Sequence, residues 1–362
     1  MDTGTLTCVL LRCAVRGDVP DAQLFSGLDR EQWDGIFAMS CPHNIVALVF
    51  DAIQALPEEY RPPKDIWLKF AVLAEQIAED CDRKAGYVAE LTRFYREHDV
   101  RLMLLKGIGL SRYYPVPNHR RSSDIDIYLF GEIAKADAIL SEKMGISISS
   151  DVHHHTTFMY KGVLVENHYD FINVHVHRSS QEIERLLKGM AAEPGDVIDV
   201  RGEKVALPTA EFNALFLMRH MAAHYAADRI SVRHLCDWML FLEHEHANID
   251  FTKVNGWYER FNMHRFANAL NSLLIEHFGM NADFLPPFER DRELEERIFN
   301  DIFYPTFTQK KPKKGAVKIV IWKLRRFMVN RWKHRIVYNE PWYVSFFRLF
   351  VSHLSKPKTI TH

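Results

Sequence analysis

The sequence predicts an α+β fold in which a small mixed sheet is flanked by helical regions along the chain. Three observations predict it: apolar residues recur at helical spacing up to about residue 95, strand-like patterns follow Asp99, and helical spacing returns after Pro208. The expected organisation is an N-terminal helical region (1–98), a sheet-bearing core (99–207), a C-terminal helical region (208–300) and a basic, aromatic-rich tail (301–362).

The N-terminal region is predicted to hold several helices. Ile45, Leu48, Val49 and Ile53 follow helical spacing, and the proline-containing segment 57–63 interrupts the pattern. A long helix is expected over 65–98.

The core is predicted to alternate strands with short helices. A first strand over 100–105 ends at Lys106-Gly107 and leads into a short helix over 108–114. Further elements are expected in this order: a strand at 125–130, a helix at 134–144, strands at 146–149, 153–160 and 163–172, and a hairpin with a glycine turn at 197–207.

The composition is that of an ordinary globular protein. Of 362 residues, 47% are hydrophobic and 26% are charged. The five cysteines form no CxxC pair, so neither a disulfide framework nor a cysteine zinc site is expected, and a reducing, cytoplasmic setting is the default. The N-terminus lacks the basic region of a signal peptide, and no apolar run approaches the roughly 18 residues of a membrane span.

Charge is distributed unevenly. Residues 309–362 contain fourteen Lys and Arg and one acid, Glu340, a net of +13 that leaves −14 on the rest of a chain whose total is −1. Aromatic residues such as Trp322 and Trp332 are interleaved with these cations. Three interpretations remain open: contact with nucleic acid, contact with an anionic membrane surface, or a helix docked against the acidic remainder of the chain.

Two aspartates mark the candidate site. Asp124 and Asp126 are two residues apart in a predicted strand, so both carboxylates project from one face. Neighbouring carboxylates repel each other unless a cation lies between them, and Mg²⁺ prefers such oxygen ligands. The upstream Lys106-Gly107 suggests a phosphate-binding loop.

These motifs resemble a known family. Leu105-Lys106-Gly107 and Arg121-Ser122-Ser123-Asp124-Ile125-Asp126 are similar to the signature of the bacterial uncharacterised nucleotidyltransferase family, in the DNA polymerase beta-like nucleotidyltransferase superfamily. The resemblance implies a polymerase beta-like core and a third carboxylate on a later strand. The apolar-Glu-apolar-His form matches Val165-Glu166-Asn167-His168, with Asn167 where an apolar residue is usual. Asp170, on the same predicted face, is the alternative third acid.

The implied activity is Mg²⁺-dependent transfer of a nucleoside monophosphate from an NTP to an unidentified hydroxyl acceptor: a small molecule, a protein or an RNA end. Two Mg²⁺ ions would be held by Asp124, Asp126 and Glu166. The expected nucleotide-binding residues are Lys106, Gly107, Arg120, Arg121, Ser123 and His168. Two other functions remain open: a catalytically idle nucleotide-binding module, and a nucleic-acid-binding protein acting through its tail.

Histidines elsewhere are weaker candidates. The groups His153–His155 and His175/His177 have no cysteine or nearby acid to complete a zinc set, so zinc is not expected. His220 and His224 are four residues apart on a predicted helix, but Met221 stands where a metalloprotease needs Glu. Arg233 and Asp237 at the same spacing predict a helix ion pair.

Overall fold

A computed structural model describes residues 1–150, 154–175 and 177–355, which form fourteen α-helices and six strands. The helices are α1 (Thr3–Arg16), α2 (Arg30–His43), α3 (Val46–Ala55), α4 (Lys64–Arg96), α5 (Ile108–Ser111), α6 (Ile133–Met144), α7 (Arg178–Met190), α8 (Ala210–Ala227), α9 (Val232–Glu245), α10 (Phe251–Arg260), α11 (His264–Phe278), α12 (Arg292–Phe303), α13 (Ala316–Val337) and α14 (Trp342–Ser355). The strands are β1 (Met103–Leu104), β2 (Ile125–Tyr128), β3 (His155–Tyr160), β4 (Val163–His168), β5 (Asp196–Val200) and β6 (Glu203–Leu207).

The six strands form one mixed sheet in the order β3-β4-β2-β1-β6-β5. β2 pairs in parallel with β4, and β1 pairs in parallel with β6, while the other three pairings are antiparallel. The predicted α+β class with a small mixed sheet is confirmed.

Several predicted elements are shorter in the structure. The predicted strand at 100–105 contains only the two residues of β1, and the helix predicted at 108–114 is the single turn α5. The stretch 146–149 contributes one bridge, between Ser149 and Thr157. The structure adds α7, where Ile183, Leu187 and Met190 already follow the spacing of an amphipathic helix.

Two apolar clusters position the site. One lies between the sheet and the helices α4 and α6, and includes Leu91, Leu140, Ile125 and Ile127. The larger cluster joins α1–α3 to α8–α11 on the other face of the sheet, where Tyr128 packs against Phe171 at 4.6 Å between ring centroids. Because side chains alternate along β2, the isoleucines enter the first cluster while Asp126 faces the second.

Helix α13 of the basic tail is docked along one side. Lys333 on α13 is buried and pairs with Asp301 at 2.6 Å, and Val337 and Tyr338 join the larger core. The inner face of α13, which carries these residues, therefore agrees with one of the three interpretations, a helix docked against the acidic remainder of the chain. No helix in the described ranges combines the length and the apolar character that crossing a bilayer requires.

Candidate active site

Two adjacent strands bring the predicted acids together. β2 and β4 run parallel with Asp126 directly opposite Glu166, and Asp124 lies just before β2. Glu166 and His168 share one face of β4, since they are two residues apart. Asp124, Asp126 and Glu166 thus converge on the face that looks toward α8.

Asp126 is the most enclosed of the three acids, with 3% of its surface exposed. Its Oδ1 lies 2.9 Å from Lys106 Nζ and 3.0 Å from His168 Nε2. Burial opposes its ionisation, but Lys106 and His168 outweigh that effect and hold the pKa of this carboxyl well below its usual range. Burial also opposes a charge on His168, yet its bonds to Asp126 and Glu166 raise the pKa of this imidazole to about 9.

Asp124 is in the opposite situation. Burial, together with the negative charges of Asp126 and Glu166, raises the pKa of the Asp124 carboxyl despite the nearby Lys106 ammonium. A further cation among these oxygens would remove that repulsion. The donor set of three carboxylates therefore fits a divalent metal ion.

The neighbouring strand β3 adds a histidine to the acids. Its antiparallel register with β4 places His155 opposite His168. His155 Nε2 lies 3.7 Å from Glu166 Oε1, and His168 Nε2 lies 3.6 Å from Glu166 Oε2. Sequence reasoning set this histidine aside because no acid is near it in the chain, and its acid lies on the next strand of the sheet. His153 lies outside the described residues.

The structure gives Glu166 and Asp170, the two alternatives for the third acid, different surroundings. Asp170 lies beyond the end of β4 and pairs with Lys188, whereas Glu166 faces Asp126. Asn167 points to the other side of the sheet, where its side chain donates to Asp137 Oδ1 at 3.0 Å. That bond accounts for an amide at a position where an apolar residue was expected.

The loop before β2 is held by the long helix α4. Lys84 is buried and donates to the carbonyl of Ser122 and to Asp80, and the Cys81 thiol lies 3.3 Å from the carbonyl of Arg120. Gly107 adopts φ +57° and ψ −115°, a conformation that side chains larger than hydrogen disfavour. Helix α4 and this glycine therefore fix the two segments that carry the acids and Lys106.

The predicted phosphate-binding arginines have different surroundings. Arg120 is buried and makes a two-pronged pair with Asp237, at 2.9 and 2.8 Å. Arg121 is exposed and does not line the cleft described next. Ser123 does line it and donates to Asp124 Oδ1 at 3.0 Å. The Arg233–Asp237 helix pair is present at 2.8 Å.

A cleft of about 200 Å³ lies between Asp124 and Asp126 on one side and the helices α8 and α9 on the other. Its helical wall carries nitrogen-bearing side chains that sequence reasoning did not connect to the acids: His220, His224, Arg233 and His234. Burial, and then the Lys106 charge, lowers the pKa of His220 well below its usual range and that of His224 to about 4. These imidazoles are therefore uncharged at neutral pH and offer hydrogen bonds, while Lys106 and Arg233 supply positive charge.

A sequence profile described as uncharacterised nucleotidyltransferase matches residues 29–279. The chain belongs to this family. The predicted resemblance is thereby confirmed, and the matched part of this nucleotidyltransferase family member runs from the start of α2 to the end of α11 and contains every residue of the cleft. The helices α12–α14 lie outside it.

Other comparisons are more distant. The chain is similar to an antigenic nucleotidyltransferase-like protein from Paracoccidioides brasiliensis, with 13% identity over 54% of this chain and 92% of that chain and a TM-score of 0.36. At that TM-score the likeness is too distant to bear on the site. No curated protein matches the chain.

Proposed function

We propose that this chain transfers a nucleoside monophosphate from an NTP to a hydroxyl acceptor in the presence of Mg²⁺. The observation that carries the proposal is the convergence of Asp124, Asp126 and Glu166 on one face of the adjacent strands β2 and β4, beside a cleft that Asp124 and Asp126 line. Family membership supports the reaction class. The acceptor is a small molecule, a protein or an RNA end.

The site residues suit such a reaction. A bound divalent cation would stabilise the negative charge that develops at the α-phosphate and favour ionisation of the acceptor hydroxyl. Asp124, Asp126 and Glu166 would hold it. Their combined charge and the raised pKa of Asp124 fit that role.

The chain's own groups would bind and orient the reactants. Lys106, beside Asp126, would hold the triphosphate together with Arg233 and the uncharged imidazoles on the helical side of the cleft. The acceptor oxygen forms a bond to the α-phosphorus as the bond to pyrophosphate breaks. Glu166 accepts the hydroxyl proton, since 20% of its side chain is exposed, against 3% for Asp126.

Labelled nucleotides test the proposal. The purified chain is incubated with Mg²⁺, a cell extract and each of the four NTPs labelled at the α-phosphate. Wild type transfers label to an acceptor, and the Asp124→Asn/Asp126→Asn variant lowers transfer by at least about 10³-fold, since it removes two of the three negative charges that would hold the metal ion. Glu142→Gln, a change at an exposed acid, is the matched control. Equal transfer by wild type and double variant would refute the proposal, and NTP binding without transfer would indicate an idle nucleotide-binding module.

We propose second that the outer face of α13 contacts an anionic membrane surface. Eight of the seventeen exposed large hydrophobic side chains in the described ranges lie on α13 and α14. Four of them, Val317, Ile321, Leu324 and Met328, follow helical spacing and form one stripe.

Cations border this stripe. Lys318, Arg325, Arg331 and Arg335 are exposed, whereas the opposite face of α13 packs on the body of the protein. An apolar stripe flanked by Lys and Arg suits a helix that lies in a bilayer interface, where side chains enter the lipid and cations meet the headgroups. A nucleic acid would gain little from the aliphatic stripe, so the apolar residues favour the membrane.

Vesicle sedimentation tests this contact. We expect binding to vesicles of phosphatidylglycerol and phosphatidylcholine, about tenfold or more above binding to pure phosphatidylcholine. Ile321→Ser/Leu324→Ser should reduce it by a similar factor. Leu68→Ser/Val72→Ser, a pair on α4 that is also exposed, should leave it unchanged. Undiminished binding by the α13 variant would refute the contact.

A further inference from the structure

His155 is a buried imidazole without a hydrogen bond. Only 5% of its surface is exposed, and its Nδ1 has no partner among the described residues. Its Nε2 has only the long 3.7 Å approach to Glu166 Oε1, beyond hydrogen-bond range. Burying a polar group without a partner costs free energy, so a ligand is the simplest reason for such an arrangement.

The surroundings of His155 identify the ligand. One atom each from His155, Glu166 and His168 lie within 4.8 Å of one another, and all three residues stand on the paired strands β3 and β4. Two atoms that bind one transition metal at about 2.1 Å are at most roughly 4.2 Å apart, so small side-chain rotations suffice to bring these three onto one ion. Asp126 supplies a fourth group, 3.0 Å from His168 Nε2.

The donor types discriminate between metals. Mg²⁺ takes oxygen ligands and keeps much of its water, whereas imidazole nitrogen suits Zn²⁺ and the other later first-row ions better. Two imidazoles beside two carboxylates form a mixed nitrogen and oxygen set. Asp124, on the far side of Asp126, remains for an oxygen-bound ion.

We propose that His155, Glu166 and His168, with Asp126, form a transition-metal site next to the Asp124 carboxylate. This inference rests on the proposed function, because it names the class of metal ion that would occupy one position of the proposed active site. It adds His155 as a metal ligand. The sequence does not reveal this site, because His155 meets Glu166 and His168 only through the register of β3 with β4.

Metal titration tests the site in the full chain after treatment with a chelator. Co²⁺ is followed by its visible absorption, and Zn²⁺, Mn²⁺ and Mg²⁺ are followed by calorimetry, all without nucleotide. We expect Zn²⁺ and Co²⁺ to bind with Kd values at least about 100-fold below that of Mg²⁺. His155→Phe, which removes a nitrogen but no hydrogen bond, should weaken Zn²⁺ binding by about 10–100-fold.

Controls separate this site from other histidines and from the proposed reaction. His277→Phe removes an imidazole that stacks on Phe299 far along the chain, and it should bind Zn²⁺ like wild type. His155→Gln replaces His155→Phe if that variant does not fold. Zn²⁺ affinity equal to that for Mg²⁺, or unchanged by either His155 variant, overturns the inference even if Mg²⁺ supports transfer. Loss of Zn²⁺ binding in the His155 variant upholds it even if no NTP is turned over.

Discussion

At the scale of single residues, Asp237 connects the loop before β2 to helix α9. Its carboxylate accepts from Arg120, Arg233 and Tyr114, with the Tyr114 hydroxyl at 2.8 Å. Burial opposes its ionisation, but Arg120 and Arg233 outweigh it and hold the pKa of Asp237 well below its usual range. Arg120 and Arg233 therefore share one carboxylate, and the three side chains together keep a positive charge at the cleft.

Replacing Asp237 should destabilise the protein strongly. Asp237→Ala leaves the buried Arg120 guanidinium without its counter-charge, and we expect a loss of about 3–5 kcal/mol in the free energy of unfolding. Urea denaturation measures it. Because Arg120→Met removes the stranded charge, the double variant should lose less than the sum of the two single losses. Additive losses would show that the pair is not coupled.

A second prediction for a single residue concerns Gly107. An added Cβ would meet nothing closer than 3.8 Å, so its positive φ and its ψ of −115°, and not crowding, set the cost. Gly107→Ala should lower the free energy of unfolding by about 1–3 kcal/mol and displace Lys106 from Asp126. Gly189→Ala, in α7 with open space around it, should be neutral or stabilising by up to about 1 kcal/mol. Similar effects of both changes in thermal denaturation would contradict this account.

At the scale of elements, α4 supports the loop that carries the acids. Lys84 is 3% exposed and bonds the carbonyl of Ser122, two residues before Asp124. Lys84→Met leaves that carbonyl unpaired, at a cost of about 1–3 kcal/mol. Hydrogen exchange should become faster in the loop 115–123. Lys69→Met, at an exposed lysine on the same helix, should change neither the free energy of unfolding nor the exchange rate. Faster exchange of the loop in that variant as well would show that the effect is not specific to Lys84.

The elements also show what could be predicted from the sequence. Asp124, Asp126 and Glu166 each belong to a local alternation of apolar and polar residues, which marks a strand and one of its faces. Which strands are neighbours is not local: His155 meets Glu166 through sheet register, and Arg120 meets Asp237 across 117 positions. The catalytic roles of the three acids stay a prediction, whereas their convergence is a feature of the fold.

At the scale of the whole molecule, the basic tail is part of the body and not an appendage. Ile336, Val337 and Tyr338 are buried in the main core, and Arg219 lies over the Tyr338 ring at 4.5 Å. A deletion of 309–362 would therefore expose core residues and could not isolate a binding function of the tail.

Truncation after residue 308 should destabilise the protein as a whole. Each large apolar side chain that loses its cover costs about 1.5–3 kcal/mol, so the total is expected on the order of 5 kcal/mol or more. Urea denaturation of the truncated chain tests this. Ile321→Ser/Leu324→Ser, on the outer face of α13, should denature like wild type. A truncated chain of full stability would mean that α13 does not belong to the core.

Stability of the whole molecule should also fall in mild acid. His43, on α2, is 2% exposed, and its Nδ1 accepts from the Val232 amide at 3.2 Å, which joins α2 to α9. Burial, with the positive charge of Arg229, lowers the pKa of His43 to about 4. The unfolded chain binds a proton here near pH 6.5 and the folded chain does not, so the stability is fully present above pH 6.5 and is lost as pH falls toward 4.

The expected slope from this group approaches about 1.4 kcal/mol per pH unit between those values. His43→Asn keeps an acceptor for the Val232 amide without titrating in this range, and should have a shallower slope by up to that amount. Urea denaturation at several pH values between 4 and 7 measures both chains. Parallel curves for wild type and variant would show that His43 is not held neutral, because a group contributes to the slope only when the folded and unfolded chains bind different numbers of protons at it.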